Sequence, residues 1–373
     1  MPIARLHGTI ADYAWGSPGA ISRLRGWPES AQNEAEWWLG THPLGMSTVE
    51  SGESLSQWLA SVGEPAELPY LFKVLSPTTP LSLQVHPSAD EAAEGFQREE
   101  AAGIPLDAPT RLFKDPYAKP ELVVAVGGPF HALAGIRPIE TTLGQLEGLI
   151  GEGDYPAICG WIEKLSSWSA EEVIGWLLSD SPEVPALLDE LGQVADRDDT
   201  LSRLHRHYPT DPGIAVAMMM HRLTLLPGEA AFLEAGQLHA YLEGYAIELM
   251  APSDNVLRGG LTPKHVDVEA LLEIAVCEPV DVPRLEPQLS DSGGVTYSPE
   301  GHPLRLGLLE GTEVSAALPA QGPVVVIATD GEWSVESGDE VLTLERGHAC
   351  VAAGQGMQRR LTGSGQIWWA YAD

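Results

Sequence analysis

Apolar positions in the first 150 residues fall in short runs that Pro and Gly cut off before a helix could form. LPYLFKVLSP (68–77) and LSLQVHPS (81–88) are separated by a turn-like TTP, and ELVVAVGG (121–128) and HALAGI (131–136) follow a polar stretch. Strand-length pieces punctuated this way predict an antiparallel barrel or sandwich rather than βαβ units. The stretch 90–103, DEAAEGFQREEAAG, reads as a helical excursion. The period then changes. Segments within 151–212 carry apolar residues at helical spacing, with Ser-x-x-Glu-like starts at Ser169 and Ser181, which predicts an insert of three or four helices. Strand-like text resumes over 213–253, where AVAMMMH is read as a buried strand rather than a methionine stripe on a helix. From about 275 the hairpin rhythm of PLRLGLLE, PVVVIATDG, EWSVESG and GQIWWAYAD predicts a further small barrel. The division expected is a β domain from 1–150 plus 213–274, a helical insert at 151–212, and a β domain at 275–373.

One strand carries the chemistry. Side chains alternate along a strand, so Ser82, Gln84 and His86 share one face while Leu83 and Val85 point the other way. If the leucine and valine face a packed layer, the polar trio faces a cavity. Burying Gln and His unpartnered costs ~1–3 kcal/mol each, so that cavity requires water, a metal or a ligand. Lys119-Pro120-Glu121 opens the apolar strand ELVVAV, and His239 lies just beyond the turn in AGQLHAY. Gln84, His86, Glu121 and His239 together offer two nitrogens and two oxygens, a donor set suited to Zn²⁺, with Mn²⁺ or Fe²⁺ also compatible. On spacing alone, His86 as a satisfied core histidine stays open. Arg258 and Lys264 sit in a Gly-rich loop, where they are either phosphate anchors or ordinary surface ion pairs.

Composition narrows the partners. With 53 acidic against 21 basic residues the formal charge is −32, which excludes a nucleic-acid-binding surface. An anionic substrate would need local basic residues to overcome that field. No apolar window reaches membrane-spanning length, and no signal peptide is read at the N-terminus. Cys159, Cys277 and Cys350 are widely spaced and form no CxxC, as expected of reduced thiols in a cytoplasmic protein.

The stretches Tyr13-Ala-Trp15-Gly16-Ser17, AEWWLGTHP (35–43), LSLQVHP (81–87), KPE (119–121), AGQLHAYLEG (235–244) and ELMAPSDNVLRGGLTPKH (248–265) now make the chain recognisable. In type and order they resemble the type I phosphomannose isomerases, zinc-dependent enzymes of the cupin fold. The resemblance implies a mainly β protein of cupin (jelly-roll) barrels with an inserted helical domain and one Zn²⁺ per chain. It places the zinc ligands on Gln84, His86, Glu121 and His239, and the substrate pocket on Ser82, Lys119, Glu248, Arg258 and Lys264. Two departures stand out. Tyr117-Ala118 replaces the family's usual Asn-His before Lys-Pro-Glu, and the AEx-Trp stretch carries a Trp37-Trp38 pair.

The activity implied is reversible isomerisation of mannose 6-phosphate and fructose 6-phosphate through a cis-enediolate. Glu248 is expected to be the base, Arg258 to stabilise the enediolate, and Lys119 to serve substrate oxygens or ring opening. Ser82 and Lys264 are expected to hold the phosphate of a phosphorylated hexose in a monomer or weak homo-oligomer. Two other readings compete: an iron oxygenase on the same fold, which Gln84-x-His86 fits poorly, and a non-catalytic sugar-phosphate binder. A fused nucleotidyltransferase is excluded by length and by the lack of a Gly-rich loop before a helix.

Overall fold

The computed structural model of the chain describes residues 2–290 and 293–373. Two antiparallel sheets face each other at its centre. One has seven strands in the order Arg284–Leu285, Ala230–Leu233, Glu121–Ala125, Ala246–Met250, Leu71–Leu75, Glu36–Leu39 and Thr9–Ala11. The other has five: Met220–Leu225, Phe130–Ile136, His239–Glu243, Gln84–Val85 and Leu257–Arg258. Val123, Ala125, Leu75, Ala231 and Ala246 from the first meet Phe130, Ala132, Leu223, Leu225 and Tyr241 from the second in one apolar cluster. That cluster closes one end of a jelly-roll barrel of the cupin type.

Period-2 alternation gives each sheet a second, outward face. Leu122, Val124, Ile247, Leu249, Phe72 and Val74 point out of the seven-stranded sheet into a core shared with the C-terminal region. Leu83, Val85, Leu133, Ala240, Leu242 and Leu257 point out of the five-stranded sheet against Trp161, Ile174, Leu187 and Ile214 of the helical region. Both sheets are therefore packed on both sides, and the polar residues on their inner faces have nowhere to go but the barrel interior.

The helical region differs from expectation in three ways. Helices Pro156–Leu165, Ala170–Leu177, Val184–Gln193 and Asp199–His207 form, but a further helix, Ile139–Ile150, precedes them. Ser169 caps its helix through a complete capping box with Glu172, whereas Ser181 caps nothing: the next helix starts after Glu183 without a side-chain cap. The segment read as the strand AVAMMMH begins as the helix Gly213–Met218, and the strand starts only at Met220. Every residue from Gly213 to Met220 is buried, so no polar face was present to reveal the period. The three methionines, 218–220, fill the core between helices and sheet.

The C-terminal region supplies seven strands of a nine-stranded sheet, the other two being Ile3–His7 and Thr48–Val49. Its long strands Leu304–Leu318, Val324–Ser337 and Arg359–Ala372 bend at bulges near Gly311 and Ala328 and enclose Leu318, Val326, Trp333, Leu361 and Trp369. The first strand of the chain, Ile3–His7, joins this sheet by pairing with Ala349–Ala352. Each tryptophan pair divides between layers: Trp37 and Trp368 enter the shared core, Trp38 faces the barrel interior, and Trp369 faces the C-terminal core. Among the described residues no helix is long and apolar enough to cross a membrane, and all three cysteines are free.

Leu83 is fully buried between sheet and helices, and strand alternation turns its neighbour Gln84 to the opposite, inward face. Leu83→Ala is expected to cost ~2–5 kcal/mol, read as a lowered midpoint in urea unfolding.

Candidate metal centre

Three short elements bring the donors together. Only Gln84 and Val85 of the LSLQVH stretch pair as strand, a shorter element than expected, because Leu81 and Leu83 spend their amides on Tyr241 O (2.8 Å) and Gly260 O (3.0 Å). Gln84 lies in register with His239 on one side and Arg258 on the other. His86 follows on the same face, its carbonyl accepting the Gly236 N–H at 2.8 Å. Gly236 has φ 77°, a left-handed turn that favours glycine and delivers the chain into His239. Glu121 opens its strand after Pro120 and shares the inward face with Val123 and Ala125.

His86, Glu121 and His239 are 2–3% exposed, and their donor atoms all lie within 4.8 Å of one another. His86 Nδ1 is 2.7 Å from the Asn255 carbonyl, and His239 Nδ1 is 3.0 Å from the Gln237 carbonyl. A carbonyl only accepts, so each ring carries a hydrogen on Nδ1 and in its neutral form presents a lone pair at Nε2. Those lone pairs face Glu121, at 3.1 Å from Oε1 for His86 and 3.4 Å from Oε2 for His239. The 3.1 Å approach has the distance of an ion pair, yet His86 Nε2 has no hydrogen-bond partner. Burial first, then Lys119, pushes the His86 imidazole down to about 4, so the ring is neutral and no ion pair forms. Two lone pairs held against a carboxylate out of water repel unless a cation sits among them. This donor set fits a divalent ion of the Zn²⁺ kind.

A belt of buried charge surrounds the donors. Tyr241 Oη lies 3.1 Å from Glu121 Oε2 and 2.9 Å from Glu248 Oε1. The phenol has one hydrogen for two carboxyl groups, so it satisfies only one of them at a time. Burial, then Glu121, raises the Glu248 carboxyl to about 7, against the pull of Lys73 and Lys119. Lys119 Nζ is 2.9 Å from Glu121 Oε1. Burial is the largest single influence on Glu121 and raises it, but the neighbouring charges, Lys119 first, outweigh it and hold the carboxyl well below its ordinary value. Lys73, pointing inward from a strand whose other residues are all apolar, lies 3.4 Å from Glu248 and 3.8 Å from Glu36. Its ammonium also lies 4.7 Å over the Trp38 ring, and Trp38 Nε1 donates to Glu36. Sequence reasoning missed Lys73, Glu36 and Tyr241. The available signal was the lone lysine in LPYLFKVL, since a buried ammonium requires a carboxylate partner.

The remaining expected residues are less enclosed than the three donors. Gln84 and Ser82 are partly buried, and neither side chain hydrogen-bonds a described residue. Arg258 and Lys264 form no ion pair with a described residue, which removes the surface-ion-pair reading. Burial lowers both, and Lys264 is lowered further by Arg258. Their loop is pinned by Asp211, whose carboxylate accepts Gly213 N–H at 2.7 Å and Thr262 N–H at 3.0 Å. A methyl at Gly260 would sit 2.6 Å from the Gly213 Cα, so the close approach requires glycine. His42 is buried with Nε2 3.4 Å from Asp254, while His131 is partly exposed beside Thr224. The Tyr117 ring is 63% exposed, so the Tyr117-Ala118 departure alters the rim and not a donor.

Comparison with known proteins gives a consistent picture. Residues 3–139 match the family description of the phosphomannose isomerase type I catalytic domain. The chain is 32% identical to mannose-6-phosphate isomerase of Escherichia coli strain K12 over 391 residues, covering 98% of this chain and 99% of that one. It is 37% identical to the Salmonella typhimurium mannose-6-phosphate isomerase over 298 residues, 74% of this chain and 75% of that one. A crystal structure of the Salmonella typhimurium enzyme bound to fructose 6-phosphate and zinc superposes over 100% of both chains with a TM-score of 0.87 at 29% identity.

Because folding lowers the His86 imidazole from 6.5 to about 4, the unfolded chain takes up this proton first on acidification. The stability that a neutral His86 preserves is complete above pH 6.5 and is lost as pH falls to about 4. In metal-free protein, the unfolding free energy of wild type minus that of His86→Gln is expected to fall by ~3 kcal/mol as pH drops across that window. Urea titrations at stepped pH measure it.

Proposed function

The chain belongs to the type I phosphomannose isomerase family, and on that premise we propose that it interconverts mannose 6-phosphate and fructose 6-phosphate with one Zn²⁺ held by His86, Glu121 and His239, Gln84 completing the set. The carrying observation is the pair of histidine Nε2 atoms aimed at a buried carboxylate, with a second carboxyl poised near neutrality beside two lysines. When bound, zinc supplies Lewis-acid stabilisation of negative charge developing on the C1 and C2 oxygens of the sugar.

The chain's own residues perform the remaining work. Aldose–ketose isomerisation removes a proton from the carbon beside the carbonyl and returns one to its neighbour. Glu248, raised to about 7, has the proton affinity this transfer demands at neutral pH. Lys73, with Glu248 on one side and Glu36 on the other, neutralises the belt and holds the base in place. Arg258, which pairs with no carboxylate among the described residues, is the cation for the enediolate. Lys119 serves the substrate oxygens during ring opening. Ser82 and Lys264 anchor the phosphate, and that remote anchor orients the reacting carbons.

A mere binder has no need of a carboxyl tuned to about 7 beside the donors, and this favours catalysis. The net charge of −32 supports the absence of a nucleic-acid partner, and free thiols support a reducing, cytoplasmic setting.

An assay coupled to glucose-6-phosphate formation tests the activity. Glu248→Gln is expected to retain zinc while solvent exchange of the substrate's C2 hydrogen falls ~10²–10⁴-fold; unchanged exchange would acquit Glu248 as the base. Arg258→Ala is expected to lower kcat by ~10²-fold with a smaller rise in KM, and a change in KM alone would make it a ground-state anchor.

A further inference from the structure

Asp254-Asn255 reads in sequence as a turn former, but Asn255 does more than turn the chain. It is 0% exposed. Its Oδ1 accepts the amides of Lys114 (2.7 Å) and Asp115 (3.2 Å). Its Nδ2 donates to the Asp115 carbonyl (2.8 Å), the Tyr117 carbonyl (2.9 Å) and Asp115 Oδ1 (3.2 Å). The backbone carbonyl of the same residue receives the Nδ1 hydrogen of His86 at 2.7 Å.

We propose that Asn255 is a positioning residue that locks the metal-facing tautomer of His86 to the loop carrying Lys119, making donor geometry and substrate-side geometry one unit. The inference rests on the zinc reading of the His86–Glu121–His239 cluster.

Residues 114–120 belong to no helix or strand, so their backbone groups have no ladder to satisfy them. The buried amide of Asn255 replaces that ladder. Asp115 returns the grip: its carboxylate accepts Ser253 Oγ–H (2.8 Å), Tyr117 N–H (3.1 Å) and Asp254 N–H (2.8 Å). From this fixed loop Lys119 reaches Glu121 Oε1 at 2.9 Å. On the other side of the site, the Asn255 carbonyl decides which ring nitrogen of His86 carries hydrogen and where Nε2 points. Two contacts of the metal cluster, one through His86 and one through Glu121, thus depend on a residue that touches no donor atom. Only an amide offers both an acceptor and donors at this reach. Aspartate in its place would still receive the two N–H groups but would set an acceptor against two carbonyls and a carboxylate.

The test measures Zn²⁺ affinity by competition with a chromogenic chelator, alongside the visible absorption of the Co²⁺-substituted protein. Asn255→Asp is expected to weaken Zn²⁺ binding ~10–100-fold, shift the Co²⁺ bands, and lower kcat even at saturating zinc. A second variant guards against simple misfolding. Asp115→Asn sets an amide donor against Asp254 N–H while leaving Asn255 and every donor intact. With unfolding unchanged, it is expected to weaken Zn²⁺ by at least ~3-fold and shift the same bands. A folded Asp115→Asn protein with wild-type affinity and wild-type Co²⁺ bands overturns the coupling. Wild-type protein that takes up no Zn²⁺, or takes it up equally after His239→Ala, overturns the underlying metal reading instead.

Discussion

Two imidazole lone pairs confronting a carboxylate inside a protein form an arrangement that is unstable by itself, and the structure around them is organised to maintain it. Each ring is turned by a backbone carbonyl so that its hydrogen faces away from the centre. Lys119 stands on the carboxylate and Lys73 on the neighbouring Glu248, so the negative charge is compensated without protonating the histidines. Desolvation alone would drive Glu121 to take up a proton, and the lysine prevents it. A cation brought to this point finds its donors already stripped of hydrogen, and little reorganisation is required of the protein.

The two-sheet barrel makes that maintenance possible. Because the outer face of each sheet is committed to apolar packing, against helices on one side and the C-terminal sheet on the other, strand alternation forces Glu121, Glu248, Lys73, His239 and Gln84 inward. The apolar cluster around Phe130 and Leu225 plugs one end of the barrel, and the charged belt occupies the other. Rigid neighbours thus hold the charged side chains in place, and the desolvation they suffer tunes their proton affinities.

Legibility in the sequence followed the same physics. Alternation in LSLQVH exposed the polar trio because Leu83 and Val85 are unmistakably apolar, and the capping box at Ser169 is a local signal that needs no tertiary context. The run from Gly213 to Met220 defeated pattern reading because total burial erases the difference between periods of 2 and 3.6. Lys73 hid for another reason. Its partners, Glu36 and Glu248, are 37 and 175 positions away, and only the register Trp38–Lys73–Glu248 across three strands joins them. The network centred on Asn255 was invisible for the same reason: an amide looks like a turn former until its partners around position 115 are known.

The pairing of Ile3–His7 with Ala349–Ala352 has a consequence for how the molecule comes into being. The strand at residues 3–7 must wait for its partner at 349–352 to be made, a loop closure over a long stretch of polypeptide. Until then the apolar outer face formed by Leu122, Val124, Ile247 and Leu249 lacks the cover it shares with Trp368 and Val325. The nascent barrel therefore passes through a stage in which it is shaped but sticky, and arrival of the C-terminal sheet is what renders it sociable in a crowded cell.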